Sequence, residues 1–473
     1  MEILFFSFIE ASTQRDRDRL SICIVLITIS VDPTMLSFFA YLGLFSSAIA
    51  EEPVPTIPFE TYKLKNGLNV ILSQDTSIPF VQVNLWYNVG SKDETPGLSG
   101  FAHLFEHLMF QGSEHYDQEY FAALEEVGAS VNGTTSFDRT NYYEGVPAEQ
   151  LPLALWIESD RMGWLLPALT EGKLSNQQEV VRNERRQRYE VTPFGEVWVW
   201  IFENLYPAGH PYHIPTIGTH EDIENAKMED VKAFFEKWYV PSNASLVVCG
   251  DFETQEAKEL IESYFGEVPS GEPVQPLRSA PFVELEESKN IVKEDKVPFS
   301  KVWVAWPTPA LYKPGDAELD ILSTLLTDGK DSLLYKDLVE TGLAKEVQAY
   351  QYSTVLQSQY FIEITPASGH TTDELVQKLD ESLAGFTAED PIVQMAKNSW
   401  ETSFYERLES ISQKADLLNS YYTNTGDPGY ISQDIARYRS VDAQRIQTTF
   451  SKYIQNKNRV VLHVHPAKQE PKQ

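Results

Sequence analysis

The segment that most constrains the fold is residues 101–109, which read Phe-Ala-His-Leu-Phe-Glu-His-Leu-Met. Its apolar side chains recur at the spacing of one helical face, which predicts a helix packed against a core. The opposite face carries His103, Glu106 and His107. Histidines four residues apart project in the same direction, so both imidazoles can reach one ion. Because imidazole suits zinc and the carboxylate between them can deprotonate a water, the segment predicts a metal-binding helix.

Size and charge limit the classes of function. The chain has 473 residues, 42 % of them hydrophobic, which allows more than one domain with a real core. It carries 69 acidic and 38 basic residues, a formal net charge of −31 that excludes nucleic acid as a partner because its phosphates would be repelled. The charge is compatible with attraction of cationic peptides or with an acidic solvated surface, and we favour the surface interpretation.

Residues 1–50 have the pattern of a targeting segment. Their two apolar runs are each shorter than the roughly 20 residues that a membrane span needs. Ala48 and Ala50 stand at −3 and −1 before Glu51, which is the secretory cleavage pattern. We therefore predict a start at Met35, cleavage between Ala50 and Glu51, and a periplasmic or secreted protein. A membrane anchor and an organelle transit peptide are the alternatives.

Residues 129–146 alternate in the manner of two antiparallel strands that follow the metal-binding helix. Strands near a metal site can accept an extended peptide by edge pairing, in which backbone groups supply the affinity. Asn132, Gly133 and Thr134 are the candidates for such an edge. An ordinary interior hairpin explains the same pattern equally well.

A charged helix is predicted to begin at Ser175, which forms a capping box with Gln178. One face of this helix carries Gln177, Val181, Glu184 and Arg188. Glu184 on its own would be an ordinary solvated charge. It becomes a candidate metal ligand because a site with two imidazoles needs a third ligand.

Six stretches of the chain resemble the pitrilysin/insulysin family of zinc metallopeptidases, the inverzincins. The resemblance is to the half-length branch, which includes the mitochondrial processing peptidase β-subunit and bacterial relatives. The matching stretches are residues 86–94, 97–112, 132–143, 180–186, 209–212 and 239–251. The resemblance spans about residues 57–465.

This resemblance implies one Zn²⁺ per chain and assigns the residues that hold it. The metal ligands would be His103, His107 and Glu184, and Glu106 would be the general base. Glu184 follows His107 by 77 residues, the separation typical of the family. The family loop that contains His210 is expected to be structural.

The resemblance also implies that the Asn132, Gly133 and Thr134 edge holds the substrate backbone. Gln177 stands where many relatives have a glutamate that supports the site from behind the ligands. Since glutamine can still donate and accept a hydrogen bond, we expect it to tune the site rather than abolish it.

The second half of the chain repeats the first in outline but lacks the metal-binding residues. A predicted helix at residues 317–327 corresponds to the one at 101–109. In this correspondence the positions of His103, Glu106 and His107 are occupied by Asp320, Ser323 and Thr324, respectively. We therefore expect the second copy to be unable to bind zinc.

The predicted fold class is α+β, with two homologous domains that are each a mostly antiparallel sheet with helices packed on one face. The expected segments are a targeting segment at 1–50, an N-terminal zinc-peptidase domain at 51–271, a linker at 272–284, and a C-terminal homologous domain at 285–473.

The function implied by the resemblance is a zinc-dependent metalloendopeptidase that hydrolyses unfolded peptides. Full-length members use an arginine and a tyrosine from a late domain to stabilise the oxyanion. No arginine occurs between Arg278 and Arg407 here, so we expect a homologous partner subunit, in a heterodimer or a homodimer. The alternative is a non-catalytic core subunit of a related complex, although such relatives usually have damaged zinc motifs.

Overall fold

The computed structural model describes residues 54–468. The predicted targeting segment, with its cleavage site after Ala50, lies outside the described residues. Within residues 54–468, no helix combines the length and the apolar character needed to cross a membrane.

The first sheet has six strands. They are β1 (Glu60–Lys63), β2 (Asn69–Gln74), β3 (Phe80–Tyr87), β4 (Ser130–Thr135), β5 (Thr140–Pro147) and β6 (Ala244–Gly250). Their order is β1-β2-β6-β3-β5-β4, and every neighbouring pair is antiparallel except β2 and β6. Within the described residues β4 pairs only with β5, so it is an edge strand.

The described residues of the first half also form eight α-helices. They are α1 (Phe101–Leu108), α2 (Tyr120–Glu125), α3 (Leu151–Trp164), α4 (Glu171–Arg185), α5 (Val197–Leu205), α6 (His220–Asn225), α7 (Met228–Trp238) and α8 (Thr254–Phe265). The predicted apolar stripe of α1 is buried in the core of the first half, where the ring centroids of Phe105 and Tyr239 are 4.3 Å apart. The amphipathic pattern therefore predicted the orientation of α1 correctly.

The start of α4 differs from the prediction. The helix begins at Glu171, where the Oγ1 of Thr170 accepts a hydrogen bond from the backbone N–H of Lys173 at 3.2 Å. The predicted cap at Ser175 is wrong because that residue lies inside the helix. At its other end α4 continues into a wider π-helical turn, Arg186–Val191.

As far as residue 468, the second half forms a five-stranded sheet and six α-helices. The strands are β7 (Lys289–Asp295), β8 (Lys301–Thr308), β9 (Ala344–Tyr352), β10 (Ser358–Pro366) and β11 (Val460–Pro466). The helices are α9 (Asp316–Thr327), α10 (Thr372–Ala384), α11 (Asp390–Arg407), α12 (Ile411–Thr425), α13 (Ile431–Arg439) and α14 (Ala443–Tyr453). A π-helical turn at Tyr335–Glu340 precedes β9.

The two sheets share one topology. The order β7-β11-β8-β10-β9 repeats β2-β6-β3-β5-β4, and in both sheets the first pair is parallel and the other pairs are antiparallel. The predicted α+β fold of two homologous domains is thereby confirmed.

Each half also covers the sheet of the other half, which adds a layer to the predicted one-sided packing. Helix α12, from the second half, packs on β6 of the first sheet, where Ala415 and Leu418 share one buried apolar cluster with Val247. Helix α5, from the first half, packs on the second sheet, where the ring centroids of Trp198 and Phe361 are 5.1 Å apart. The two halves are therefore interlocked through their helices.

A segment without helix or strand joins the halves between Phe265 and Lys289. It contains the predicted linker at 272–284 and is held in place, since the backbone of Val283 exchanges hydrogen bonds of 2.8 and 2.9 Å with the Gln357 amide. The domain boundaries remain a prediction.

Candidate metal centre and peptide cleft

The first turn of α1 is fixed by a carboxylate that the sequence analysis missed. Glu94 accepts hydrogen bonds from the backbone N–H of Gly100 at 3.1 Å and of Ala102 at 2.8 Å. Burial raises the pKa of Glu94 to about 8, against the effect of these hydrogen bonds. Gly100 has φ of 82°, and a Cβ there would lie 2.7 Å from the Ile217 carbonyl oxygen. The start of the helix that carries His103 is thus tightly defined.

The structure brings the three predicted metal ligands together. The Nε2 of His107 lies 3.3 Å from one oxygen of Glu184, and the Nε2 of His103 lies 3.8 Å from the other. One donor atom from each side chain lies within 4.8 Å of the other two. Among residues 54–468, this is the one group of three histidine, cysteine, aspartate or glutamate side chains with such spacing.

The geometry of this group fits a tetrahedral zinc ion. Zinc–nitrogen and zinc–oxygen bonds of about 2.1 Å at tetrahedral angles place neighbouring donor atoms about 3.4 Å apart. The observed distances of 3.3 and 3.8 Å, each to a different oxygen of Glu184, lie near that value, and the three donor atoms all lie within 4.8 Å of one another. Two imidazoles and one carboxylate also leave a fourth position, as catalytic zinc sites require.

The protonation states suit metal binding. Burial and the charge of His107 lower the pKa of His103 to about 4, which keeps the imidazole neutral and its lone pair available. Burial raises the pKa of Glu184, but the hydrogen bond from His107 and the charges of His103 and Arg188 outweigh it, so the net shift is downward. Both groups are therefore in the form that a metal ligand needs.

Glu106 lies between α1 and the edge strand β4. The Oγ1 of Thr135 donates a hydrogen bond of 2.5 Å to Oε2 of Glu106. Burial raises the pKa of Glu106 while the Thr135 hydrogen bond lowers it, and the net shift is upward. Sequence reasoning missed Thr135, although strand alternation from Gly133 would have placed it on the same face.

The backbone of β4 presents an open edge beside Glu106. The N–H of Ser136 donates to the carbonyl of Arg139 at 2.9 Å. Counting from this hydrogen-bonded pair, residue pairs along β4 and β5 alternate between non-hydrogen-bonded and hydrogen-bonded, and Gly133 with Tyr142 is a non-hydrogen-bonded pair. The backbone groups of Gly133 accordingly point away from β5. The Gly133 N–H donates to the Asn132 side-chain oxygen at 2.9 Å. A Cβ on Gly133 would lie 3.1 Å from Oε1 of Glu106 and from the ring of Phe110, so a side chain at this position would crowd the carboxylate.

These residues line a cleft of about 510 Å³. Its apolar wall is formed by Phe110 and Phe121, whose stacked rings are 4.6 Å apart. Its other walls contain the predicted edge residues Asn132, Gly133 and Thr134 and the buried Gln177. Arg188, from the π-helical turn after α4, completes the lining. The structure therefore collects every predicted site residue in one cleft, while their roles remain predictions.

The equivalent positions of the second half hold a different arrangement. Asp320 is half-buried and accepts a hydrogen bond of 2.5 Å from the Tyr438 hydroxyl. The Ser323 hydroxyl lies 3.2 Å from that of Tyr360. Two half-buried side chains that hydrogen-bond to tyrosines, Asp320 and Ser323, thus stand where the first half has metal-binding residues.

Sequence comparisons agree with this geometry. The profile described as "Insulinase (Peptidase family M16)" matches residues 69–194, and the one described as "Peptidase M16 inactive domain" matches residues 225–399. The zinc protease PqqE of Helicobacter pylori is 31 % identical over 377 residues, which cover 76 % of this chain and 83 % of that protein. The chain belongs to peptidase family M16. The resemblance inferred from sequence motifs is confirmed.

Other M16 proteins match over most of their length. The mitochondrial-processing peptidase subunit beta of Bos taurus is 25 % identical over 424 residues, which cover 86 % of this chain and 84 % of that protein. The crystal structure of a protease from Helicobacter pylori superimposes with a TM-score of 0.79 at 26 % identity, over 87 % of this chain and 100 % of that chain. The M16 fold is therefore present across both halves.

Proposed function

We propose that this M16 chain is a zinc-dependent metalloendopeptidase that hydrolyses unfolded peptides. The observation that carries the proposal is the convergence of His103, His107 and Glu184 beside a buried carboxylate and an open strand edge. The name "zinc protease" of the Helicobacter pylori relative supports the same activity.

In the proposed mechanism His103, His107 and Glu184 would hold the zinc ion. The ion would supply a Lewis acid that polarises the scissile carbonyl and lowers the pKa of water. Glu106 takes a proton from the attacking water and passes it to the leaving amine. The raised pKa of Glu106 suits this exchange, and the Thr135 hydroxyl holds the carboxylate in place.

The substrate backbone would pair with β4 as an additional strand. The Gly133 N–H and carbonyl point toward the incoming chain, and the Asn132 side chain must release the Gly133 N–H when the peptide binds. Only an extended segment can pair in this way, which is why the proposed substrates are unfolded peptides.

The test is hydrolysis of a library of quenched peptides by residues 51–473, beside the Glu106→Gln variant, with zinc content measured in both. Cleavage by the first and none by the second, with equal zinc, supports the proposal. Bound zinc without cleavage, even with a homologous subunit added, would favour the non-catalytic core subunit. Absence of bound zinc would refute the assignment of the ligands.

We also propose that full activity needs a homologous partner subunit. Strand β9 carries Lys345 and no arginine, so it lacks the guanidinium that full-length members use at the oxyanion. The bovine relative is itself named as a subunit. Full turnover by a chain that light scattering shows to be monomeric would refute this.

The proposed location is the periplasm or the exterior, with removal of residues 1–50. The support is the small-residue pattern before Glu51. Amino-terminal sequencing of the protein from its native cells tests it, and a mature chain that retains residues before Glu51 would contradict it.

A further inference from the structure

A guanidinium lies in the wall of the cleft within reach of the metal ligands. The Nη1 of Arg188 is 2.6 Å from Oε1 of Glu184, although 72 % of the Arg188 side chain is exposed. The charge of Arg188 also lowers the pKa of His103. A positive group therefore borders the site where the reaction is proposed to occur.

This positive group is unusual in a chain with a net charge of −31. Four arginines fall within residues 182–188, and three of them are engaged outside the cleft. Arg182 pairs with Glu224, Arg185 pairs with Glu190, and Arg186 donates to the side chain of Asn183. Of these four arginines, Arg188 alone lines the cleft.

The contact between Arg188 and Glu184 competes with metal binding. Arg188 donates to the Glu184 oxygen that lies 3.8 Å from His103, so the guanidinium and the metal would share one carboxylate. A bound ion takes over the neutralisation of Glu184. Because 72 % of the Arg188 side chain is exposed, solvent screens its attraction to Glu184, and Arg188 can then turn toward the cleft and offer its planar set of donors to another anion.

We propose that Arg188 selects peptides that carry a carboxylate within about two residues of the cleaved bond, at roughly 3.3 Å per residue of extended chain. This inference rests on the proposed peptidase function. The carboxylate could belong to an acidic side chain or to the peptide C-terminus, and both present the same planar pair of oxygens to the guanidinium. Arg188 would then be a specificity-determining residue rather than a catalytic one.

The test measures binding and turnover separately. Fluorescence anisotropy of zinc-loaded Glu106→Gln protein gives the affinity for two peptide pairs, one with Asp or Asn beside the scissile bond and one with a free or amidated C-terminus. Wild-type protein gives kcat/KM for the same pairs. Arg188→Gln is compared with Arg186→Gln, which removes an equal charge two residues away and outside the cleft.

We expect the acidic member of at least one pair to be favoured by about fivefold, the scale of a partly exposed charge pair. Arg188→Gln should abolish the preference and Arg186→Gln should retain it. Arg188→Glu should favour Lys over Asn at the same position. The pair that responds identifies the source of the carboxylate.

Two outcomes overturn the inference: an acidic preference that survives Arg188→Gln, or the absence of any preference in wild-type protein. A structural role through Glu184 would instead change zinc content and affect both members of a pair equally. Preference in binding without hydrolysis would refute the proposed peptidase activity and leave charge selection standing, so the two failures are distinguishable.

Discussion

Replacing Arg161 by methionine should lower the thermal stability of the protein, because the guanidinium is buried in the first half. The guanidinium is 1 % exposed and pairs with Glu158 and, at 3.3 Å, with Glu144. It also lies between the rings of Tyr120 and Tyr142, 4.0 and 4.1 Å from their centroids. Methionine would fill much of the same volume, but it would leave two buried carboxyl groups without a cation.

The expected cost follows from this burial. Removing one partner of a buried ion pair costs about 3–5 kcal/mol, because an uncompensated charge remains in the interior. The entropy of unfolding is about 2 cal/mol/K per residue, so for the described part of the chain this cost lowers Tm by about 3–6 °C. As a control, Asp380→Asn removes the surface pair with Arg459, in which Asp380 is 50 % exposed, and should lower Tm by about 1 °C or less.

The second prediction is the direction in which the stability of Arg161→Met changes with pH. Burial and the neighbouring Glu158 raise the pKa of Glu144 well above its usual value. In Arg161→Met the folded state should hold more protons than the unfolded state, so stability falls as the pH rises. The Tm deficit should therefore be larger at about pH 8 than at about pH 6.

Thermal melts followed by near-ultraviolet circular dichroism measure these effects. The double variant Arg161→Met, Glu158→Gln should recover at least half of the loss in Tm, since one unpaired carboxylate is removed. A single variant within about 1 °C of wild type, or a double variant less stable than the single, would refute the reasoning.

Three further predictions follow from the site and the interlocked halves. Thr135→Val should lower kcat about tenfold or more, since a hydrogen bond to a charged group is worth about 1.5–3 kcal/mol. Thr135→Ser keeps the hydroxyl and should retain activity. Equal rates for the two variants would contradict the role of the hydroxyl. Gly133→Ala should weaken peptide binding, because the added Cβ would lie 3.1 Å from Glu106. The control variant Gly172→Ala should leave binding unchanged, because its Cβ would meet no atom closer than 3.8 Å. Equal binding by the two variants would show that crowding at Gly133 does not matter. Halves separated within the predicted linker at 272–284 should each lack a cooperative melt, since each lacks the helix that covers its sheet, and independent melting of either half would contradict this.

Local periodicity was enough to predict α1 and the face it buries. The helix is amphipathic on its own, so the same residues that pack the core also orient His103 and His107. The third ligand could not be found in this way. Glu184 lies 77 residues further on, in a helix whose pattern alone indicates a solvated charge. The need for a third ligand made it a candidate, and the family resemblance assigned it that role.

The contacts between distant elements had no signal in the sequence. Glu94 caps α1 from a loop, so no helical motif marks it as a cap. The apolar residues of α5 and α12 predict burial but not against which sheet, because amphipathicity does not identify the partner surface. The N-cap at Thr170 was missed because Ser175 and Gln178, further along the same helix, also have the spacing of a capping box.

The second half supports the first without sharing its chemistry. On α12, the Asn419 side chain donates to the backbone carbonyl of Asn84 on β3 at 2.8 Å. Asn84 is in register with Tyr143 on β5, and Tyr143 is in register with Asn132 on β4. A helix from the second half is thus hydrogen-bonded to the same row of the sheet that ends at the proposed substrate edge. The second half therefore needs no metal-binding residues to serve the first. If the second half did not fold, the first sheet would lose helix α12, which packs on it and on which the proposed site depends.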